Sequence, residues 1–228
     1  MPMVDGAGVP LAYEEWGRGP AVLLIHGIGT GRLGWGPALA DGARAISYDR
    51  RGYGASGAPD PYSRTTVSEQ AEDAAALLAA LDAMPAVACG ADLGALVVLD
   101  LLLRHPQAVR AAVFVDVPAF PLVAEATAAL AAEREVLETA LRDEGPQQAM
   151  VAWAALRGAA DPATGVPAHV FFADYGAQAT LALSRRELRT IEAPVAILDG
   201  PAAPEHVRAA GDALAAVLPR ARRGGAED

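Results

Sequence analysis

The sequence predicts an α/β fold: a doubly wound, mostly parallel sheet with a helical insertion and a truncated C-terminus. Three observations carry this. Short apolar runs (Ala21 to Ile25, Arg44 to Tyr48, Ala86 to Cys89, Arg110 to Val117) alternate with longer helical patterns, as βαβ units do. The runs are continuous rather than alternating, which suits strands buried on both faces. Glycine-rich turns follow several of them, at the carboxyl ends where such sheets bind ligands. At 228 residues the chain suits one such domain with an insertion.

The elements follow in order. Val9 to Trp16 alternates loosely and ends in Gly17-Arg18-Gly19-Pro20, a strand and a turn. The strand Ala21 to Ile25 runs into His26-Gly27-Ile28-Gly29-Thr30-Gly31, and Trp35 follows in a short helical piece. After Arg44 to Tyr48 comes Asp49-Arg50-Arg51-Gly52-Tyr53-Gly54-Ala55-Ser56. Thr66-Val67-Ser68-Glu69 is a capping box and opens a helix to about Leu81. Leu93 to Arg104 is apolar nearly all round, so that helix should be buried, with His105 capping its end. Residues 119–191 break the rhythm: Leu122 to Arg142, Gln147 to Arg157 and Gln178 to Ile191 read as amphipathic helices. A strand from Pro194 to Leu198 and a helix from Glu205 to Leu218 close the pattern, and the tail to Asp228 is too short for a full strand and helix. The division is therefore a core of residues 1–118 and 192–228 and a helical cap of residues 119–191.

Composition narrows the partners. Eighteen arginines against 28 acidic residues give a net charge of −10, which argues against nucleic acid and anionic membrane. The single cysteine, Cys89, excludes an internal disulfide. The N-terminus has no basic and apolar leader pattern, and no apolar run reaches spanning length. A cytoplasmic protein with a small-molecule substrate is expected, with no metal and no cofactor; homo-oligomer formation stays open.

The chemistry centres on Gly90-Ala91-Asp92-Leu93-Gly94, the spacing of the nucleophile elbow with an aspartate in the serine position. The turn should lift Asp92 into open space at the helix N-terminus, where negative charge is favoured. The turn His26-Gly27-Ile28-Gly29 leaves backbone N–H groups free to serve an oxyanion. His26 itself also reads as a loop-bracing histidine.

Together, His26-Gly27-x-Gly29, Trp35, Asp49-x-Arg51-Gly52-x-Gly54-x-Ser56, Gly90-x-Asp92-x-Gly94 and Arg104-His105-Pro106 resemble the α/β-hydrolase superfamily. The match is strong over residues 8–118 and weak over 192–219. It implies an eight-stranded, mostly parallel sheet, Asp92 as nucleophile, and the Ile28 and Leu93 amides as oxyanion hole. Aspartate at the elbow is similar to haloalkane dehalogenases and epoxide hydrolases, where the carboxylate forms an ester that a histidine-activated water then hydrolyses. This sequence departs from that pattern. Leu93 replaces a frequent tryptophan or arginine, the Gly200-Pro201-Ala202-Ala203-Pro204 loop has no carboxylate, and no histidine follows the last helix. Substitute bases are His169, Tyr175 and His206.

The expectation is an enzyme that uses Asp92 as general acid/base on a small, largely apolar metabolite in a non-hydrolytic reaction. Cyclisation, epoxide opening, elimination or isomerisation fits, by analogy with tailoring enzymes of specialised metabolism. An epoxide hydrolase or dehalogenase with Asp92 as nucleophile and a catalytically inactive binding protein are the alternatives. His26, Trp35, Trp153, His169, Phe171, Phe172 and Tyr175 are the expected pocket residues.

Overall fold

The structure, a computed structural model, describes residues 1–35, 42–124, 126–157 and 165–224. Eight strands form one sheet: β1 (Met3–Asp5), β2 (Pro10–Gly17), β3 (Ala21–Ile25), β4 (Arg44–Tyr48), β5 (Ala86–Ala91), β6 (Val109–Val115), β7 (Val195–Leu198) and β8 (Ala221–Gly224). Their order is β1-β2-β4-β3-β5-β6-β7-β8. β1 and β2 run antiparallel to their neighbours and the rest are parallel, so the expected mostly parallel, doubly wound sheet is present. The central strands are short apolar runs flanked by helices on both faces, which is why they pair in parallel rather than as hairpins.

Helices α1 (Val67–Ala80) and α2 (Leu93–Arg104) cover the sheet. The Thr66–Glu69 capping box is formed in both directions at the start of α1. Satisfying two otherwise unpaired amides in this way stabilises a helix by about 1 kcal/mol. His105 is the C-cap of α2, with its Nε2 3.0 Å from Glu72. Between β6 and β7 lie α3 (Ala126–Asp143), α4 (Pro146–Leu156), α5 (Ala168–Ala177) and α6 (Arg185–Leu188); α7 (Glu205–Ala215) precedes β8. The buried core runs unbroken from the sheet into these helices through Leu137, Trp153 and Phe171.

Three elements differ from expectation. Gln178 to Ile191 is not one helix: a 3-10 turn at Gln178–Thr180 is followed by the single-turn α6, capped by Ser184. The missing helix is α5, where Pro167 supplies a preset entry and the run Ala168–Ala177 is too uniformly apolar to show amphipathic periodicity. The third is β1, a three-residue strand that the sequence pattern does not mark. The tail's four-residue edge strand β8, beside β7, stays short of a full strand and helix, as expected. No helix among the described residues is long and apolar enough to cross a membrane.

Register positions the site. Ile25 of β3 lies opposite Gly90 of β5, so the turn from His26 and the elbow at Asp92 leave the sheet side by side. The two elbow glycines are there for close approach, not for unusual backbone angles. A Cβ on Gly94 would lie 2.3 Å from the Ile25 carbonyl oxygen, and one on Gly90 would lie 2.3 Å from the Gly94 oxygen. The left-handed backbone falls on Asp92 itself, at φ 48° and ψ −121°. Holding a non-glycine residue there costs on the order of 1–3 kcal/mol.

Candidate active site

Asp92 stands at the N-terminus of the buried helix α2, where the unpaired amides of the first turn favour an anion. The Ile28 N–H donates to Asp92 Oδ2 at 3.1 Å. Burial pushes the Asp92 carboxyl above its ordinary value. Arg157, the Ile28 and Leu93 amides and Arg50 pull it back without overcoming burial. Its Oδ1 is buried and has no hydrogen-bond partner among the described residues. A buried carboxylate oxygen without a hydrogen-bond donor is a group poised to take a proton or to attack.

The insertion supplies a cation to this carboxylate. Arg157, the C-cap of α4, brings Nη1 to 3.9 Å from Asp92 Oδ1. It is itself held by Glu133 of α3, which accepts from Arg157 Nε at 2.9 Å and Nη2 at 3.2 Å. Glu133 also accepts from Trp153 Nε1 at 3.0 Å. The guanidinium lies 5.3 Å from the Trp153 ring centre and 5.6 Å from that of Phe120, so aromatic faces wall it on two sides. The result is a chain of contacts from Trp153 through Glu133 and Arg157 to Asp92.

A groove of about 840 Å³ opens between α3 and α5. Phe120, Leu130, Leu137, Phe172 and Tyr175 line it, with Glu133 also on its wall. Phe120 and Glu133 both touch Arg157, so the groove ends one side chain from Asp92. Its size and mainly apolar lining suit a small molecule. Burial, with the nearby Glu133, raises the Tyr175 phenol above its ordinary value.

The expected site residues thus divide. Asp92, Ile28 and Leu93 come together at the elbow, Trp153 connects to them through Glu133 and Arg157, and Phe172 and Tyr175 line the groove. Phe171 is fully buried between Trp153 and Phe172, packed edge-on against both, and faces the core. His169 is exposed on α5, and Trp35 lines a separate surface groove with Tyr13, Trp16 and Leu33. His26 sits behind the loop. Its Nε2 accepts from the Arg50 N–H at 3.1 Å, which leaves the proton on Nδ1 to donate to the Gly27 oxygen at 2.9 Å. Burial and the Arg50 charge hold its imidazole well below the usual value. His206 is half-buried at the start of α7, its ring 5.4 Å from that of Phe120. None of the hydrogen bonds among the described residues joins a histidine to Asp92. Nor does any group of three His, Cys, Asp or Glu side chains among them converge as metal ligands would.

The motif Asp49-x-Arg51-Gly52-x-Gly54-x-Ser56 is spent on architecture. A Cβ on Gly54 would lie 2.1 Å from Asp49 Oδ2, and Ser56 Oγ accepts from the Ala12 amide at 2.9 Å. Arg51 forks onto Asp73 at 2.7 and 3.0 Å.

Sequence reasoning missed Arg157, Glu133, Arg50 and Asp174. Glu133 had a signal: it occupies the same stripe of α3 as the buried Ala126, Leu137 and Ala140. A carboxylate on an inward stripe needs a partner. Asp174, on the buried stripe of α5 with Val170, Phe171 and Ala177, is a second case. Nothing local marks Arg157.

Comparison with known proteins extends this picture. Residues 20–188 match the family described as alpha/beta hydrolase fold. Epoxide hydrolase A of Mycobacterium tuberculosis is 37% identical over 125 residues, covering 52% of this chain and 39% of that protein. Bifunctional epoxide hydrolase 2 of Sus scrofa is 36% identical over 118 residues, covering 50% of this chain and 21% of its own length. The alignments thus span well under half of either relative. The crystal structure of a hydrolase from Pseudomonas aeruginosa superposes with a TM-score of 0.71 at 25% identity, over 98% of this chain and 89% of that one.

Proposed function

The chain belongs to the α/β-hydrolase fold family, and from that premise we propose that it is an enzyme acting on a small, largely apolar metabolite, with Asp92 as general acid/base in a non-hydrolytic reaction. Cyclisation, epoxide opening by an internal nucleophile, elimination or isomerisation all require this proton traffic. The observation that carries the reading is the Asp92 carboxylate: one oxygen takes the Ile28 amide and the other is buried and unpartnered. Arg157 works against burial and favours the charged, proton-accepting form of the carboxylate. Burial raises the carboxyl above its ordinary value, so the proton, once taken, is held on Asp92 until it is returned to the substrate. The Ile28 and Leu93 amides then stabilise negative charge as it returns to the carboxylate. The mainly apolar groove beside Arg157 suits a largely apolar substrate that carries its own nucleophile.

A second reading, favoured by the two relatives named as epoxide hydrolases, has Asp92 attack carbon and form an ester that water cleaves. It needs a base to activate that water, and His206, beside Phe120 and within the field of Arg157 and Glu133, is a candidate. Turnover of an epoxide-bearing substrate in oxygen-18 water separates the two. Hydrolysis puts the label into product, or into Asp92 and then product over repeated turnovers. The proposed reaction leaves both unlabelled.

A further inference from the structure

Against the Gly27–Ile28 loop lies a buried polar cluster that the proton-transfer chemistry does not use. Arg50 and Asp174 form an ion pair with Nη2–Oδ2 at 2.6 Å, and each side chain is at most 1% exposed. Asp174 belongs to α5 of the insertion, 124 residues from Arg50 in sequence. Its carboxylate also accepts from the Tyr53 hydroxyl at 2.6 Å and from Gln70 Nε2 at 2.9 Å. Gln70 in turn accepts from Arg50 Nη1. A buried ion pair persists only when its remaining donors and acceptors are met, and this one is met on every side but Arg50 Nε.

The cluster grips one peptide unit. Arg50 Nη2, besides pairing with Asp174, donates to the Gly27 carbonyl oxygen at 2.9 Å. That carbonyl and the Ile28 N–H belong to the same planar peptide, and the N–H donates to Asp92. Two further donors reach the Gly27 oxygen, His26 Nδ1 at 2.9 Å and Thr30 Oγ1 at 3.2 Å. Thr30 belongs to the loop and would move with it, and among the described residues His26 hydrogen-bonds outside the loop only to the Arg50 amide, through its Nε2. Both ties from the Gly27 carbonyl to another element therefore run through Arg50. On the other side of Ile28, the Gly29 N–H donates to the Tyr53 hydroxyl at 3.2 Å. A flip of the Gly27–Ile28 peptide would turn a carbonyl toward Asp92 in place of a donor.

We propose that Arg50, oriented by Asp174 of the insertion, is a positioning residue that fixes the Gly27–Ile28 peptide with its N–H aimed at Asp92. Asp174 and Tyr53 complete the clamp, so the insertion sets the oxyanion donor without touching substrate. A charged donor on the carbonyl end also polarises the peptide and strengthens its N–H as a donor at the other end. The inference rests on the reading of Asp92 as the working group only for its kinetic consequence; the geometry of the clamp stands apart from it.

The test follows the Asp92 carboxyl by carbon-13 NMR titration in the whole chain, alongside turnover. Arg50→Lys keeps the positive charge but cannot fork to Gly27, Asp174 and Gln70 together. The expected result is an Asp92 titration about one pH unit higher, the size of one lost hydrogen bond to a charged group. Turnover should fall by about tenfold with little change in KM. Tyr53→Phe changes no charge in the neutral range and removes only the hydroxyl; it should move the titration the same way by a smaller amount. If Arg50→Lys does not fold, Tyr53→Phe decides. An Asp92 titration unmoved in a folded variant overturns the clamp. Loss of the Asp92 role itself shows separately, as full turnover in Asp92→Asn.

Discussion

Asp92 carries two costs that a structural residue would shed: a left-handed backbone without glycine and a carboxyl raised by burial. Removing the charge relieves the second. Because the folded value lies above the unfolded one, this group adds stability below the unfolded value and loses it as pH rises through the folded value. At pH 7 the charged side chain therefore costs stability, and Asp92→Asn should raise Tm while lowering turnover by at least about 100-fold, the low end for a general acid–base group. Full turnover in the variant, with deamidation excluded by mass spectrometry, would remove Asp92 from the chemistry. Arg157 acts with the opposite sign. Arg157→Met removes the largest force lowering the Asp92 carboxyl, so the acid limb of the pH–rate profile should move to higher pH. A limb that stays in place would reduce Arg157 to packing against Phe120 and Trp153. Asp92 was legible in the sequence because its glycines mark the elbow within five residues. Arg157 was not, because its meaning comes only from α4 folding back over an elbow 65 residues earlier.

Among the elements, the central strands and the turns after them were readable because continuous apolar runs and glycine punctuation are local signals, while the three-residue β1 carries neither. The insertion was harder, since its helices are defined by what they pack against. α5 shows this: it is apolar on most of its surface, and its one telling residue is Asp174, which the sequence alone leaves unpartnered. The neighbouring phenylalanines separate packing from binding. Phe171 is fully buried against Trp153 and Phe172, so Phe171→Ala should cost about 3–5 kcal/mol in denaturant unfolding. Phe172 is half-buried and lines the groove, so Phe172→Ala should cost less stability and raise KM for an apolar substrate. Equal losses of stability with KM unchanged would mean that the groove is not the substrate path.

For the whole molecule, the acid stability of the fold turns on a histidine that takes no part in the proposed chemistry. His26 is neutral in the folded chain, with Nε2 accepting the Arg50 amide and Nδ1–H held by the Gly27 oxygen. Protonation would set an N–H against that amide donor and a second positive charge beside Arg50. Its folded value is depressed well below the unfolded value of about 6.5. The unfolded chain therefore binds this proton first as pH falls, and the stability His26 supplies is present above about pH 6.5 and lost below it. The slope of one such group is about 1.4 kcal/mol per pH unit. Asp92 and Asp73, both raised by burial, pull the other way at lower pH, so the total curve mixes signs. A difference measurement isolates His26. Denaturant unfolding of the parent and of His26→Gln at matched pH values should show the parent's advantage shrinking by about 1.4 kcal/mol per unit below about pH 6.5 and holding constant above it. A parent advantage independent of pH between 5 and 8 would mean that the imidazole opens to solvent and titrates before the fold does. The Gly27 carbonyl would then rest on Arg50 and Thr30 alone.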